Sequence, residues 1–248
     1  MRDALTYMLK QRRWLPLLLI GGYLPLTVIG WPVASGYLVE TMQLAQEGQL
    51  RRLPPWGRWG DRLVIGLMIL VVESIYVVVL PLILIGGLTL CATGFICGLT
   101  SVLSSSQVGR WPAGVLWLAW ALGSLNLAAY FVSGIGPMIR LIWLADSRAE
   151  SVLTIRWVLD VARHSFRDFW PARRVSALAY LVVLAVGAAG AGLVLWLRGL
   201  NPLLGWLAAV LAAALWAPTW FWARLVAAKA YGDAAARLGR QKLVRPGM

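Results

Sequence analysis

Cysteine, histidine and acidic residues are all scarce in this chain. Among 248 residues there are two cysteines, one histidine and 10 Asp and Glu against 23 Lys and Arg. Cys91 and Cys97 stand six residues apart in an apolar run. On a helix they fall on different faces, so a mutual disulfide is excluded, and they match no metal or redox spacing; they read as small buried hydrophobes. A lone His164 excludes a haem held by a histidine pair and the common zinc sets within this chain. It reads as a solvated side chain on the polar part of a helix. The G-x-x-x-x-G-K-[ST], G-x-S-x-G and H-E-x-x-H patterns are also missing. The sequence therefore points to no enzyme, no metal and no cofactor.

What the chain does have is apolar length. Hydrophobic residues make up 60%, charged residues only 13%, and the mean hydropathy is +0.74. A soluble domain carries about 25% charged residues. The apolar residues lie in runs of about twenty, enough to cross roughly 30 Å of hydrocarbon at 1.5 Å per residue. No water is present there to satisfy the backbone, so each run must be helix. The fold class is all-α, a polytopic membrane helix bundle forming a single integral membrane domain over 1–248. Six segments are expected, at about 14–37, 63–83, 86–104, 112–139, 175–197 and 203–223. Pro25 and Pro32 break or kink the first, and the first and third are the candidates for re-entrant hairpins. The first exceeds a signal-peptide core in length, so it reads as a retained segment.

A net charge of +13 suggests nucleic acid in a soluble protein. In a membrane protein it follows from basic cytoplasmic loops beside anionic head groups, and no nucleic-acid partner is needed. With six spans and both termini cytoplasmic, 17 of the 23 Lys and Arg lie inside the cell membrane and 6 outside. Four of those six, Arg51, Arg52, Arg58 and Arg62, sit on the disfavoured side unless the first segment dips in and returns. An amphipathic surface helix is expected over about 147–166, opened by a Ser147–Glu150 capping box. Val152, Ile155, Leu159, Ala162 and Phe166 form its apolar stripe; Arg156, Asp160, Arg163 and Arg167 lie opposite, with Trp157 as an interfacial anchor.

Glu73 is the most pointed single residue, midway along the second apolar run. A carboxyl there costs roughly 2.5–3.5 kcal/mol on insertion scales. With Ser74, Tyr76 and Asn126 it forms a candidate intramembrane polar site, either an interhelical hydrogen bond or a proton or ion site. Gly94 and Gly98, and Gly187 with Ala191, offer small-xxx-small packing seams within the chain or toward a protein partner or second copy. Fifteen tryptophans form an aromatic belt, with Trp117, Trp120, Trp206 and Trp216 deeper, where packing is the simplest role. Arg140 reads as an anchor reaching toward the surface.

The stretch RRLPPWGRWGDRL (51–63) reads as an interfacial turn. Pro54 and Pro55 end the preceding helix, Trp56 and Trp59 sit at head-group depth, and Arg51, Arg52 and Arg58 pair with phosphates or with Asp61. The order of Gly21–Gly22, Gly36–Tyr37–Leu38, Leu53–Pro54, Trp56, Trp59 and Gly66 resembles a prokaryotic membrane family catalogued as domain of unknown function 4013. That resemblance is clear over about 15–80 and looser over about 130–230. It departs at Gly57 and Arg58, where the family is usually acidic, and it implies no reaction. The expected function is an accessory, scaffolding or lipid- and protein-interacting membrane component, with a small transporter or channel using Glu73 as the alternative.

Overall fold

The computed structural model describes residues 5–8, 14–50, 53–79, 82–87, 89, 93, 124, 134–146, 153–164 and 166–238. Asn126, Gly94, Gly98, Arg51, Arg52, Cys91, Cys97, Trp117, Trp120, Ser147 and Glu150 lie outside them, as does the side chain of Trp157. Among the described residues the fold is all helical. Among the described residues, the α-helices of ten or more residues are α1 (Trp14–Tyr23), α2 (Gly30–Gln46), α3 (Trp59–Ser74), α4 (Gly136–Asp146), α5 (Ile155–His164), α6 (Phe166–Leu200) and α7 (Pro202–Leu238). The chain falls into two compact units, Met1–Val72 with Pro137–Met248, and Glu73–Gly136. Each is described by itself.

The first unit is organised around α6 and α7, the two helices long and apolar enough to cross a membrane. One residue separates them. Asn201 accepts the Leu203 amide on its side-chain oxygen at 2.8 Å, and Pro202 follows where a missing N–H costs nothing. The stretch RGLNP (198–202) is therefore a tight turn. The pairing is antiparallel along the whole hairpin. Phe169 stacks on Tyr231 at 5.6 Å, Tyr180 meets Trp220 edge-on at 5.4 Å, and a Cβ on Gly190 would lie 2.9 Å from that of Ala212. The small-residue seam thus uses Gly187 and Gly190, three residues apart. Ala191 is exposed, so it is not part of this intrachain seam.

The first apolar segment is not one continuous helix. Helix α1 ends at Tyr23, a 3-10 turn holds Leu24–Leu26, and α2 starts at Gly30. Pro25 lies in the turn, and Pro32 lies in the first turn of α2, where its absent donor is not missed. The two arms run in opposite directions along α7. On α1, Gly21 faces Phe221, Gly22 faces Pro218, and the Tyr23 hydroxyl donates to the Ala214 carbonyl at 2.9 Å. On α2, Tyr37 lies 6.0 Å from Phe221, and Gly232 abuts Ala45 and Met42. The segment is a helical hairpin with its apex beside the middle of α7, and both its ends return to the α7 C-terminal end. That end is called the base here, and the Asn201 turn the tip.

Two further boundaries differ from expectation. The last segment, expected to end near 223, continues as helix to Leu238, and most of 223–235 is buried. Its alanines and Gly232 are small enough for α2 to approach closely. Second, α3 starts at Trp59 and passes at Ile75–Val79 into a π-helical turn. Among the described side chains of α5, Val158 and Val161 are buried, whereas Leu159, and Phe166 at the start of α6, are each 41% exposed. Trp206, expected to pack, is 73% exposed.

Candidate functional site

At the base, the loop after α2 is built to return the chain tightly. Glu47 caps α2, and Gly48 takes a positive φ of 70°. The Gln49 amide donates to Leu44 O at 2.8 Å and the Gly48 amide to Ala45 O at 3.1 Å, the two bonds of a Schellman ending. The Leu53–Gly57 stretch then folds back on α2. The buried Tyr37 hydroxyl donates to the Pro54 carbonyl at 2.9 Å, and the Tyr37 ring stacks on Trp56 at 4.3 Å. Trp56 in turn donates its indole N–H to Leu17 O of α1 at 3.3 Å and touches Phe221 and Trp59, both at 6.0 Å.

Glycine lets α3 cross here. A Cβ on Gly36 would fall on the Arg62 backbone, and one on Gly66 on the Pro32 carbonyl. Backbone contact places the Arg62 side chain against the Tyr37–Trp56 stack. Its guanidinium carbon lies 4.9 Å from the Tyr37 centroid, and only 4% of the side chain is exposed. Nε and Nη2 of Arg62 meet the same Glu40 oxygen at 2.8 and 2.7 Å, and Nη2 also donates to Pro55 O at 2.9 Å. The other Glu40 oxygen accepts from Arg58 Nη2 at 2.6 Å. Arg58 is held in the left-handed region, φ 48°, an uncommon state for a side-chain-bearing residue.

Beside this triad opens a cleft of about 520 Å³. Glu40, Arg58, Asp61, Arg62 and Gln43 form its polar wall; Val39, Leu44, Ile65, Trp143 and Leu144 form its apolar one. Next to the base, Lys229 Nζ contacts both Asp233 oxygens at 2.9 and 3.1 Å and lies 5.5 Å from the Tyr7 ring centroid. Burial first, then Tyr37 and the Asp233 carboxylate, push the Tyr7 phenol well above its ordinary value and keep it neutral.

Of the expected turn residues, Pro54, Pro55, Trp56, Arg58 and Trp59 are gathered here. Arg58 pairs with Glu40 rather than with Asp61. Glu40 and Arg62 were missed as site residues. The signal was present in a glutamate near the end of an apolar helix, opposite a basic turn, and a pairing 22 residues long is invisible to local spacing. Arg140 is 3% exposed, so it does not reach outward as an anchor. Glu73, Ser74 and Tyr76 lie in the other unit. Tyr76 is buried, Glu73 and Ser74 half-buried, and the π-helical turn begins directly after them. Arg156, Arg163 and His164 are exposed on α5, with His164 Nδ1 3.1 Å from Asp160, and Arg167 is exposed at the start of α6. No group of three or more metal-ligating side chains occurs among the described residues.

The gathered residues Gly21, Gly22, Gly36, Tyr37, Pro54, Trp56 and Gly66 are those on which a family can be recognised. A family model described as a protein of unknown function, DUF4013, matches residues 19–197. The chain belongs to this family. No curated protein and no solved structure matches it. The DUF4013 match runs from within α1 to near the end of α6 and stops short of α7, although α7 supplies Phe221 and Pro218 to the same packing.

Proposed function

We propose that this DUF4013 protein is an integral membrane component with no catalytic chemistry of its own, acting as an accessory or scaffolding element that packs against lipid and protein. The observation that carries this is the α6–α7 hairpin between Leu178 and Trp216. Leu181, Leu195, Trp196, Leu203, Trp206, Val210, Leu211 and Leu215 are each more than half exposed, an apolar surface suited to hydrocarbon and not to water.

The same reading revises the topology. The tip lies outside the cell and the base inside, with both termini cytoplasmic. The first segment is re-entrant, so Arg51, Arg52, Arg58 and Arg62 join the inner side, and only Arg110 and Arg198 remain outside. That arrangement follows the excess of Lys and Arg on the cytoplasmic side more closely than six full spans do.

Alkaline extraction of native membranes, followed by gentle solubilisation and mass spectrometry of co-purifying proteins, tests the proposal. Retention in the bilayer with a stoichiometric partner supports it. A chain released by carbonate, or one isolated without any partner, contradicts the corresponding half. The π-helical turn beside Glu73 favours a second reading as a small transporter, since such turns often mark functional sites. Flux into liposomes that is abolished by Glu73→Gln would carry that reading instead.

A further inference from the structure

We infer that the cleft beside the Glu40–Arg58–Arg62 triad receives the head group of a zwitterionic phospholipid, with Arg58 taking the phosphate and Asp61 the head-group ammonium. The inference rests on the membrane reading above.

Depth is the first argument. Phe221 touches the Tyr37–Trp56 stack and lies nineteen residues from the α7 start at Pro202. At 1.5 Å per residue the separation is about 28 Å, one hydrocarbon thickness from the tip. The cluster is thus at the level where the opposite head groups lie. Charge is the second. One carboxylate, Glu40, meets two guanidiniums. Arg62 is buried and engaged twice with one carboxylate oxygen and once with Pro55, so it neutralises Glu40 alone. Arg58 is the surplus cation. Its side chain is 71% exposed and held by a single ion pair, so it can serve an incoming phosphate without stranding Glu40. Asp61 follows three residues later on the same cleft wall, exposed, and supplies the opposite charge that a zwitterion needs.

Shape is the third. The cleft continues into apolar surface. Ile65 lines it, and Val64, Leu67, Met68 and Val71 on α3 are each half or more exposed, leading away from the base toward the tip side. A head group seated on Arg58 therefore has an apolar track for its chains. A free phosphodiester matches the polar wall but leaves this track bare.

The test is native mass spectrometry of the full chain in detergent micelles doped with phosphatidylethanolamine or phosphatidylglycerol. The unsubstituted protein should retain phosphatidylethanolamine about tenfold better than phosphatidylglycerol, the size expected of one charge-assisted contact. Arg58→Asn keeps a residue that tolerates the left-handed backbone; it should lower retention of both lipids about tenfold. Asp61→Asn should bring the ratio between them to about one while leaving phosphatidylglycerol binding in place. Equal retention by the unsubstituted chain and Arg58→Asn overturns the proposal, as does equal retention of the two lipids by the unsubstituted chain. Displacement of lipid by equimolar glycerophosphoethanolamine would assign the site to a soluble phosphodiester and overturn the lipid source. Carbonate extraction, run in parallel, separates the two failures. A chain that stays in the membrane yet binds neither lipid defeats only this inference.

Discussion

The two halves of α7 are both apolar helix, and they do opposite things. Over 202–216 the large residues Leu203, Trp206, Leu207, Val210, Leu211 and Leu215 point outward and are exposed. Over 217–235 Ala, Gly, Phe221 and Tyr231 are buried against α1, α2 and α6, and Arg224 and Lys229 are carried inside with them. Hydropathy alone reads the first half as the core and the second as a tail. Side-chain size separates them correctly, because lipid tolerates large apolar groups anywhere while helix contact needs small ones. Pro218 stands at the changeover. Its missing N–H frees the Ala214 carbonyl, and the Tyr23 hydroxyl of α1 takes that acceptor at 2.9 Å.

That contrast is broken most severely at its tightest contact. Gly232→Leu puts a side chain where even a Cβ would lie 2.6 Å from the Ala45 Cβ and the Met42 carbonyl. A loss of about 3 kcal/mol is expected, or failure to fold, read by thermal unfolding in detergent. Arg62→Leu comes next. It leaves Glu40, 20% exposed, with only the exposed Arg58, and should cost about 2–3 kcal/mol. Arg62→Lys should recover little, because one ammonium cannot span Glu40 and the Pro55 carbonyl together. Tyr37→Phe removes the hydroxyl bond to Pro54 while keeping the stack, for about 1 kcal/mol. Leu211→Ala, on the exposed half, should change unfolding in detergent by less than about 0.5 kcal/mol. A large effect there would mean that Leu211 is covered by another copy or a partner.

Much of this arrangement was legible in the sequence. The break at Pro25, the Asn201 turn, the two long apolar helices at the C-terminal side and the cluster of Pro54, Trp56 and Trp59 all follow from local chemistry. The hairpin course of the first segment was open, since prolines say that a helix breaks and not where the chain goes next. What decides it is the register of Gly21, Gly22 and Tyr37 on α7, which is tertiary. The Glu40–Arg58–Arg62 triad was illegible for the same reason. Arg62 looks like any interfacial arginine until Gly36 and Gly66 let α3 approach α2 backbone to backbone. The helix beyond 223 was not legible because Arg224, Lys229 and Asp233 interrupt the apolar run, while its alanines and Gly232 permit close packing.

The account stands or falls on which half of α7 meets lipid. A photoactivatable carbene reagent dissolved in the bilayer, followed by peptide mass spectrometry, reads this directly. Heavy labelling at Leu203–Trp216 and Leu178–Trp196, with little at Ala223–Ala235, is the predicted pattern. Uniform labelling along α7, or labelling concentrated on its C-terminal half, would contradict it.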